Sequence, residues 1–140
     1  MRILVYKWKA YNYADICEAF SDLGYEYVTV EQDLDHYDED TAFEGKLADI
    51  IQKENCGMVF TVNYFALVTT VCMKMRIPYV IWTCDNPLIS MYHQKVFQPC
   101  NYFFTFDQTN YMEFKGMGLD HIWYLPLAVN TKRIRYLIEN

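Results

Sequence analysis

Short apolar runs alternate with segments of helical periodicity along the chain, and this alternation constrains the fold more than any other feature. Five uniformly apolar runs and one alternating run read as strands: residues 3–6, 25–31 (the alternating one), 58–62, 79–82, 102–106 and 122–125. Apolar residues recur at helical spacing in 12–23, between Thr41 and Asn55, and in 65–75, 88–96 and 108–117. Strands this apolar are usually covered on both faces, which is typical of a parallel sheet between helices.

We therefore predict an α/β domain with three layers, Rossmann-like, in which a mostly parallel sheet of about six strands has helices on both faces. Right-handed crossovers place every strand-to-helix loop at one edge of such a sheet. Ligands bind in the crevice at that edge, where the strand order reverses. The loops that follow the strands are therefore where binding residues should be sought.

The net charge of −6 argues against binding of nucleic acid, which requires clustered Lys and Arg. The charge is also uneven along the chain. Between Ala10 and Gly45 there are eleven acidic residues and no basic one, whereas Lys132, Arg133 and Arg135 make the end of the chain basic. We interpret the acidic part as a solvated face and the basic end as a linker helix.

The five cysteines are odd in number and form no C-x-x-C pair, so we expect reduced thiols rather than disulfides or a zinc site. No apolar run reaches the roughly 18–20 residues of a membrane span. The apolar stretch at the N-terminus is too short for a signal peptide. These features predict a cytoplasmic protein without a transmembrane segment.

The loop after the first strand, residues 7–12, contains no glycine. Dinucleotide-binding loops and P-loops need glycines for close approach of the backbone to phosphate. We therefore expect neither kind of loop here, and no cofactor. Lys7 and Lys9 could meet an anion, and Trp8 and Tyr11 offer aromatic surfaces on which a flat or sugar-like ligand could stack. In the alternative interpretation Lys7 and Lys9 are solvated and Trp8 packs beneath a helix.

Two further loops carry polar residues that could act on a ligand. Asn63 follows the third strand and either binds a ligand hydroxyl or caps the helix that begins near Phe65. Asp85 follows the fourth strand, where a desolvated carboxylate could act as a general base towards a hydroxyl. The alternative for Asp85 is a turn, because Asp-Asn-Pro is itself turn chemistry.

Asp107 follows the fifth strand, where it caps the next helix or forms a carboxylate pair with Asp85. The acidic run 33–40 lacks the glycine and the terminal glutamate of a calcium loop. The three histidines are scattered, and no G-x-S-x-G elbow is present. We therefore expect no bound metal and no serine nucleophile.

Several of these motifs recur in order in one family. They are Arg2-Ile3-Leu4 leading to Trp8-Lys9-Ala10-Tyr11-Asn12, Asn63-Tyr64-Phe65, Trp82-x-x-Asp85-x-Pro87-Leu88, Phe106-Asp107, and Tyr124-Leu125-Pro126-Leu127-Ala128-Val129-Asn130. The ordered set resembles the N-terminal domain, of unknown function, of bacterial glycosyltransferase-like proteins of the spore-maturation (CgeB) type.

The resemblance implies a two-domain glycosyltransferase of the GT-B type. The N-terminal domain of such enzymes usually holds the acceptor, a sugar or a glycosylated molecule, and the C-terminal domain holds the nucleotide-sugar donor. On this basis residues 1–130 form the acceptor-side domain, 131–140 begin a linker helix to a C-terminal domain, and this chain alone is inactive. The cleft-facing positions carried over are Trp8, Tyr11, Asn12, Asn63, Tyr64, Asp85 and Asp107, the last two as candidate catalytic carboxylates.

Two other functional classes remain open at this point. A flavodoxin-like or receiver-like binding module would share the fold, although a receiver needs paired acids where Lys7-Trp8-Lys9 stands. An interaction domain without chemistry would suit the many aromatic residues, if some of them form an exposed patch.

Overall fold

A computed structural model of the chain describes residues 1–9, 12–36, 38–85 and 88–139. They form one six-stranded sheet, parallel throughout, with the order β2-β1-β3-β4-β5-β6. The strands are β1 (Arg2–Lys7), β2 (Glu26–Glu31), β3 (Cys56–Val62), β4 (Tyr79–Thr83), β5 (Asn101–Thr105) and β6 (Ile122–Tyr124). The helices are α1 (Tyr13–Asp22), α2 (Thr41–Lys53), α3 (Ala66–Met75), α4 (Gln108–Gly116) and α5 (Thr131–Glu139). The predicted Rossmann-like α/β fold is confirmed.

The alternation of side chains along the strands divides the apolar residues into two cores. The larger core packs one face of the sheet against α2, α3 and α4, with Phe43, Val71 and Phe114 among the buried contributions of these helices. The smaller core lies under α1 and includes Val5, Phe60 and other residues of β1 and β3. Burial of such apolar surface is the main stabilising contribution to the fold.

The face under α1 is covered only in part. Tyr102 and Phe104 of β5 and Trp123 of β6 lie on that face, outside both cores, and Trp123 is 43% exposed. The rings of Phe104 and Trp123 stack with centroids 5.4 Å apart, and the His121 ring stacks on Tyr102 at 4.8 Å. These four side chains form a row of rings, here called the aromatic row.

Helix ends follow local sequence signals. Asp40 caps α2 by accepting a hydrogen bond from the backbone of Phe43 at 3.0 Å. Gly24, after α1, has a φ of +84°, a conformation that glycine adopts without a Cβ clash. These signals explain why the ends of α1 and α2 were predictable.

The expected helix over residues 88–96 is wrong in form. Two 3-10 turns, Ile89–Met91 and Gln94–Phe97, stand there instead. His93 separates them with an extended backbone, and its Nδ1 accepts a hydrogen bond from the backbone of Lys95 at 3.1 Å. The first turn contributes Met91 to the larger core, and the second turn contributes Val96.

The last helix, α5, is attached to α1 through polar side chains and has no buried residue. Asn130 donates to Asp15 and Glu18, both at 3.0 Å, and Arg133 pairs with Asp15 at 3.0 Å. Lys132 pairs with Asp22 at 2.9 Å. In the described part of the chain no helix is both long and apolar enough to cross a membrane, and all five cysteines are free thiols.

Candidate functional site

A cavity of about 1170 Å³ opens at the carboxyl edge of the sheet. It lies where the strand order reverses, because Trp8 follows β1 and Asn63 and Tyr64 follow β3. Asp85, after β4, also lines it. Four of the seven predicted site residues therefore meet at the location that the topology of a parallel sheet favours for ligand binding.

The remaining walls come from two connecting segments. The β2–α2 loop contributes Asp35, His36, Asp38 and Glu39, the start of α2 contributes Thr41, and the segment around the first 3-10 turn contributes Leu88, Ile89, Ser90, Tyr92 and His93. The sequence pattern predicts a solvated face rather than a calcium loop for the acidic run, and a short helix without a ligand-binding role for the second segment. Alternating charged and polar residues after an edge strand were the available signal for the first, and the sequence held no comparable signal for the second.

Asn63 connects the loops that follow β3 and β4. Its Nδ2 donates to Oδ2 of Asp85 at 2.6 Å, and its Oδ1 accepts from the backbone N–H of Cys84 at 2.9 Å. The side chain is 5% exposed, and its backbone has a φ of +63°, the left-handed region that asparagine tolerates better than most residues. The alternative role as a helix cap is wrong, because the N-cap of α3 is Phe65.

A buried series of hydrogen bonds through Thr61 and Tyr79 fixes the backbone of Asn63. The hydroxyl of Thr61 donates to the carbonyl oxygen of Asn63 at 2.6 Å and accepts from the hydroxyl of Tyr79 at 2.6 Å. The same Tyr79 oxygen accepts from the backbone N–H of Phe65 at 3.2 Å. Burial raises the pKa of Tyr79 well above its ordinary value. The phenol therefore keeps the proton that it donates to Thr61.

Trp8 forms another part of the wall and is itself firmly held. Its Nε1 donates to the carbonyl oxygen of Val62 at 2.6 Å, and its ring meets Phe65 edge-on with centroids 6.2 Å apart. The half-buried indole therefore both packs and lines the cavity, so the two interpretations from sequence are compatible. Lys9 is exposed and pairs with Asp33 at 3.6 Å.

The two candidate carboxylates have different surroundings. Asp85 is exposed on the cavity, and its Oδ1 has no hydrogen-bond partner among the residues that the structure describes. Asp107 caps α4, because its Oδ1 accepts from the backbone of Asn110 at 3.0 Å, and it does not line the cavity. The expected cap is confirmed, and the two carboxylates do not share this cavity.

The remaining predicted residues lie elsewhere. Asn12 lines a second cavity of about 500 Å³ between α1 and residues 127–132, and its Nδ2 donates to Sγ of Cys84 at 3.4 Å. Burial raises the pKa of the Cys84 thiol, against the opposing effect of the Asn12 hydrogen bond, which disfavours a thiolate nucleophile. Tyr11 lies outside the described residues.

No group of three or more His, Cys, Asp or Glu among the described residues is arranged to hold a metal ion. The cavity therefore offers carboxylates, one fixed amide and aromatic rings, which suit a polar organic ligand. The sequence matches no protein-family model, and a search of curated proteins finds no relative.

Proposed function

We propose that this chain is the acceptor-side domain of a two-domain glycosyltransferase of the GT-B type. The observation that supports this most is the convergence of Trp8, Asn63, Tyr64 and Asp85 on one cavity at the strand reversal. These residues belong to the ordered motifs that resemble the glycosyltransferase-like proteins. In this proposal residues 1–130 bind the acceptor, and α5 begins the linker to a domain that binds the donor.

The proposed chemistry assigns Asp85 as the general base. Asn63 holds Oδ2 of Asp85, so Oδ1 can accept the proton of an acceptor hydroxyl. The hydroxyl oxygen then bonds to the anomeric carbon of the donor. The bond from that carbon to the donor phosphate breaks, and the nucleoside diphosphate leaves with the electron pair. The exposed Asp85 would be desolvated when a second domain closes over the cavity.

Trp8 and Asp107 take supporting roles in this proposal. The indole of Trp8 would pack against the apolar face of a sugar ring, since aromatic side chains combine large apolar area with a defined orientation. Asp107, the second candidate carboxylate, holds the start of α4 through its cap. It thereby positions the loop after β5, next to the strand that carries Asp85.

The nucleotide-sugar donor is not expected to bind here. The loop after β1 has no glycine to let a diphosphate approach the backbone. The cavity is also lined by Asp35, Asp38, Glu39 and Asp85, whose negative charges repel a diphosphate. A cavity that does not bind the nucleotide suits an acceptor domain whose partner domain binds the nucleotide-sugar donor.

Saturation-transfer NMR on this chain tests the proposal. Cellotetraose and chitotetraose serve as neutral oligosaccharides, and UDP-glucose serves as the donor probe. We expect saturation of an oligosaccharide that weakens in Asp85→Asn, while Asp49→Asn, an exposed carboxylate on α2 outside the cavity, leaves it unchanged. We expect no saturation of UDP-glucose. Binding of UDP-glucose in the cavity, or failure of every oligosaccharide, neutral or charged, to bind there, would contradict the acceptor role.

The aromatic row favours a second candidate, an interaction module that pairs with another copy of itself. Parallel sheets are normally covered on both faces, yet Tyr102, Phe104 and Trp123 remain partly exposed. A second copy presents the same row, and a twofold axis would let the two rows cover each other. Light scattering after size exclusion tests this: a dimer abolished by Trp123→Glu supports it, and a monomer across the concentration range refutes it.

A further inference from the structure

The described lining of the main cavity is strongly one-sided in charge. Four carboxylates belong to it, Asp35, Asp38, Glu39 and Asp85, and no Lys or Arg is among the lining residues that the structure describes. The location of the cavity follows from the strand reversal and does not depend on these acids. The acids determine the electrostatic potential that a ligand meets inside it.

Ion pairs within the chain leave this charge uncompensated. The salt bridges of the described residues involve other carboxylates, and the nearest of them along the chain joins Lys9 to Asp33, which does not line the cavity. Asp85 receives a hydrogen bond from a neutral amide, that of Asn63. Burial raises the pKa of Tyr64, and the negative charge of Asp38 makes a much smaller contribution in the same direction.

The aromatic residues of the cavity act in the same direction. Trp8 and Tyr92 line it, and the negative faces of such rings attract cations. A metal ion is not the expected cation, because the described acids and histidines form no group arranged to hold one. The volume of about 1170 Å³ exceeds what a single ion needs and has room for several sugar rings.

We propose that the acceptor bound in this cavity is a cationic carbohydrate, an oligosaccharide that carries free ammonium groups. This inference rests on the proposed acceptor function and specifies its substrate class. The ammonium groups would face the carboxylates of the β2–α2 loop, and a hydroxyl of the same molecule would face Asp85. Phosphorylated or carboxylated sugars would be repelled.

The test compares two ligands with the same backbone and different charge. Chitosan tetrasaccharide carries four free amines, and chitotetraose carries the same units in neutral, N-acetylated form. We measure both affinities by titration calorimetry in low and high salt at pH 6.5, where the amines still carry charge and the lining imidazoles of His36 and His93 carry less of it than in more acidic buffer. The charged ligand should bind about tenfold more tightly in low salt, and this preference should shrink as salt screens the ion pairs.

A matched pair of double variants separates the cavity from the general acidity of the protein. Asp38→Asn with Glu39→Gln removes two charges from the lining, and Asp49→Asn with Asp120→Asn removes two exposed charges outside it. The first pair should cost chitosan tetrasaccharide about threefold or more in affinity and leave chitotetraose unchanged, while the second pair should leave both unchanged.

Equal affinity for the two ligands overturns the inference and leaves the acceptor role in place. An equal loss in the two double variants also overturns it, because the attraction would then come from overall charge. Failure of both ligands to bind overturns the inference together with the acceptor role.

Discussion

The hydrogen bonds of Asn63 lead to the sharpest prediction about this domain. Three substitutions separate what its side chain and its backbone contribute. Asn63→Gly removes the side chain but accepts the φ of +63°. Asn63→Ala removes the same hydrogen bonds and adds a Cβ in the left-handed region, and Asn63→Asp keeps an acceptor for Cys84 while replacing the donor to Asp85.

The magnitudes follow from the contacts. Asn63→Gly loses the bond to Asp85 and leaves the partly buried N–H of Cys84 without a partner, which together should cost about 2 kcal/mol. In Asn63→Ala the left-handed backbone adds about 1–2 kcal/mol, partly offset by the lower chain entropy of alanine, so it should be about 0.5–1 kcal/mol less stable than the glycine variant. Asn63→Asp places two carboxylates together, and its cost should decrease with added salt.

Urea unfolding followed by circular dichroism measures these differences. Calorimetric titration with chitotetraose then reports whether the cavity still binds a carbohydrate, and we expect weaker binding in all three variants. A glycine variant as stable as the natural protein would refute the tethering role of the side chain. An alanine variant at least as stable as the glycine variant would refute the backbone argument.

Three further predictions concern the residues around the site. Tyr79→Phe removes the oxygen that accepts from the N–H of Phe65 and the hydroxyl that donates to Thr61, so urea unfolding should show a loss of about 2 kcal/mol, whereas a loss below about 0.5 kcal/mol would contradict the hydrogen-bond chain. Burial raises the pKa values of Tyr13, Tyr64 and Tyr79 in the folded protein. Above a pH of about 10 the unfolded chain therefore loses protons that the folded protein retains, and the free energy of unfolding should fall by about 3 kcal/mol between pH 10 and 11 from these three phenols; a flat profile in urea titrations over that range would contradict this. Asp107→Ala should cost about 1 kcal/mol and Asp107→Ser much less, because serine also caps helices; a serine variant as unstable as the alanine variant in thermal melts would show that the cap is not what Asp107 contributes.

The sheet was predictable because its strands obey a local rule. Strands of such a sheet are mainly apolar, as β1, β3, β4 and β5 are, with a few buried polar residues such as Asn101 and Thr105 of β5. The alternating run became β2, an edge strand with one exposed face. The helix predicted for residues 88–96 was wrong. Their apolar spacing fits a helix, but the extended backbone at His93 divides them into two turns.

The candidate site was predictable only in part, for a related reason. Trp8, Asn63 and Asp85 directly follow strands, so the topology alone brings them to one edge. The bond from Asn63 to Asp85 depends on a left-handed backbone that a single sequence does not reveal, and a helix cap was the ordinary expectation. Asp38 and Tyr92 reach the cavity through the paths of long connections, which no local pattern encodes.

The attachment of α5 has a mechanical consequence. Exposed ion pairs such as Lys132–Asp22 contribute little to stability and are screened by salt, and α5 has no buried residue. The strength of the contact between α5 and α1 therefore depends on ionic strength, and α5 can detach without unfolding of the sheet. We therefore expect high salt to release α5 from α1 while the rest of the domain stays folded.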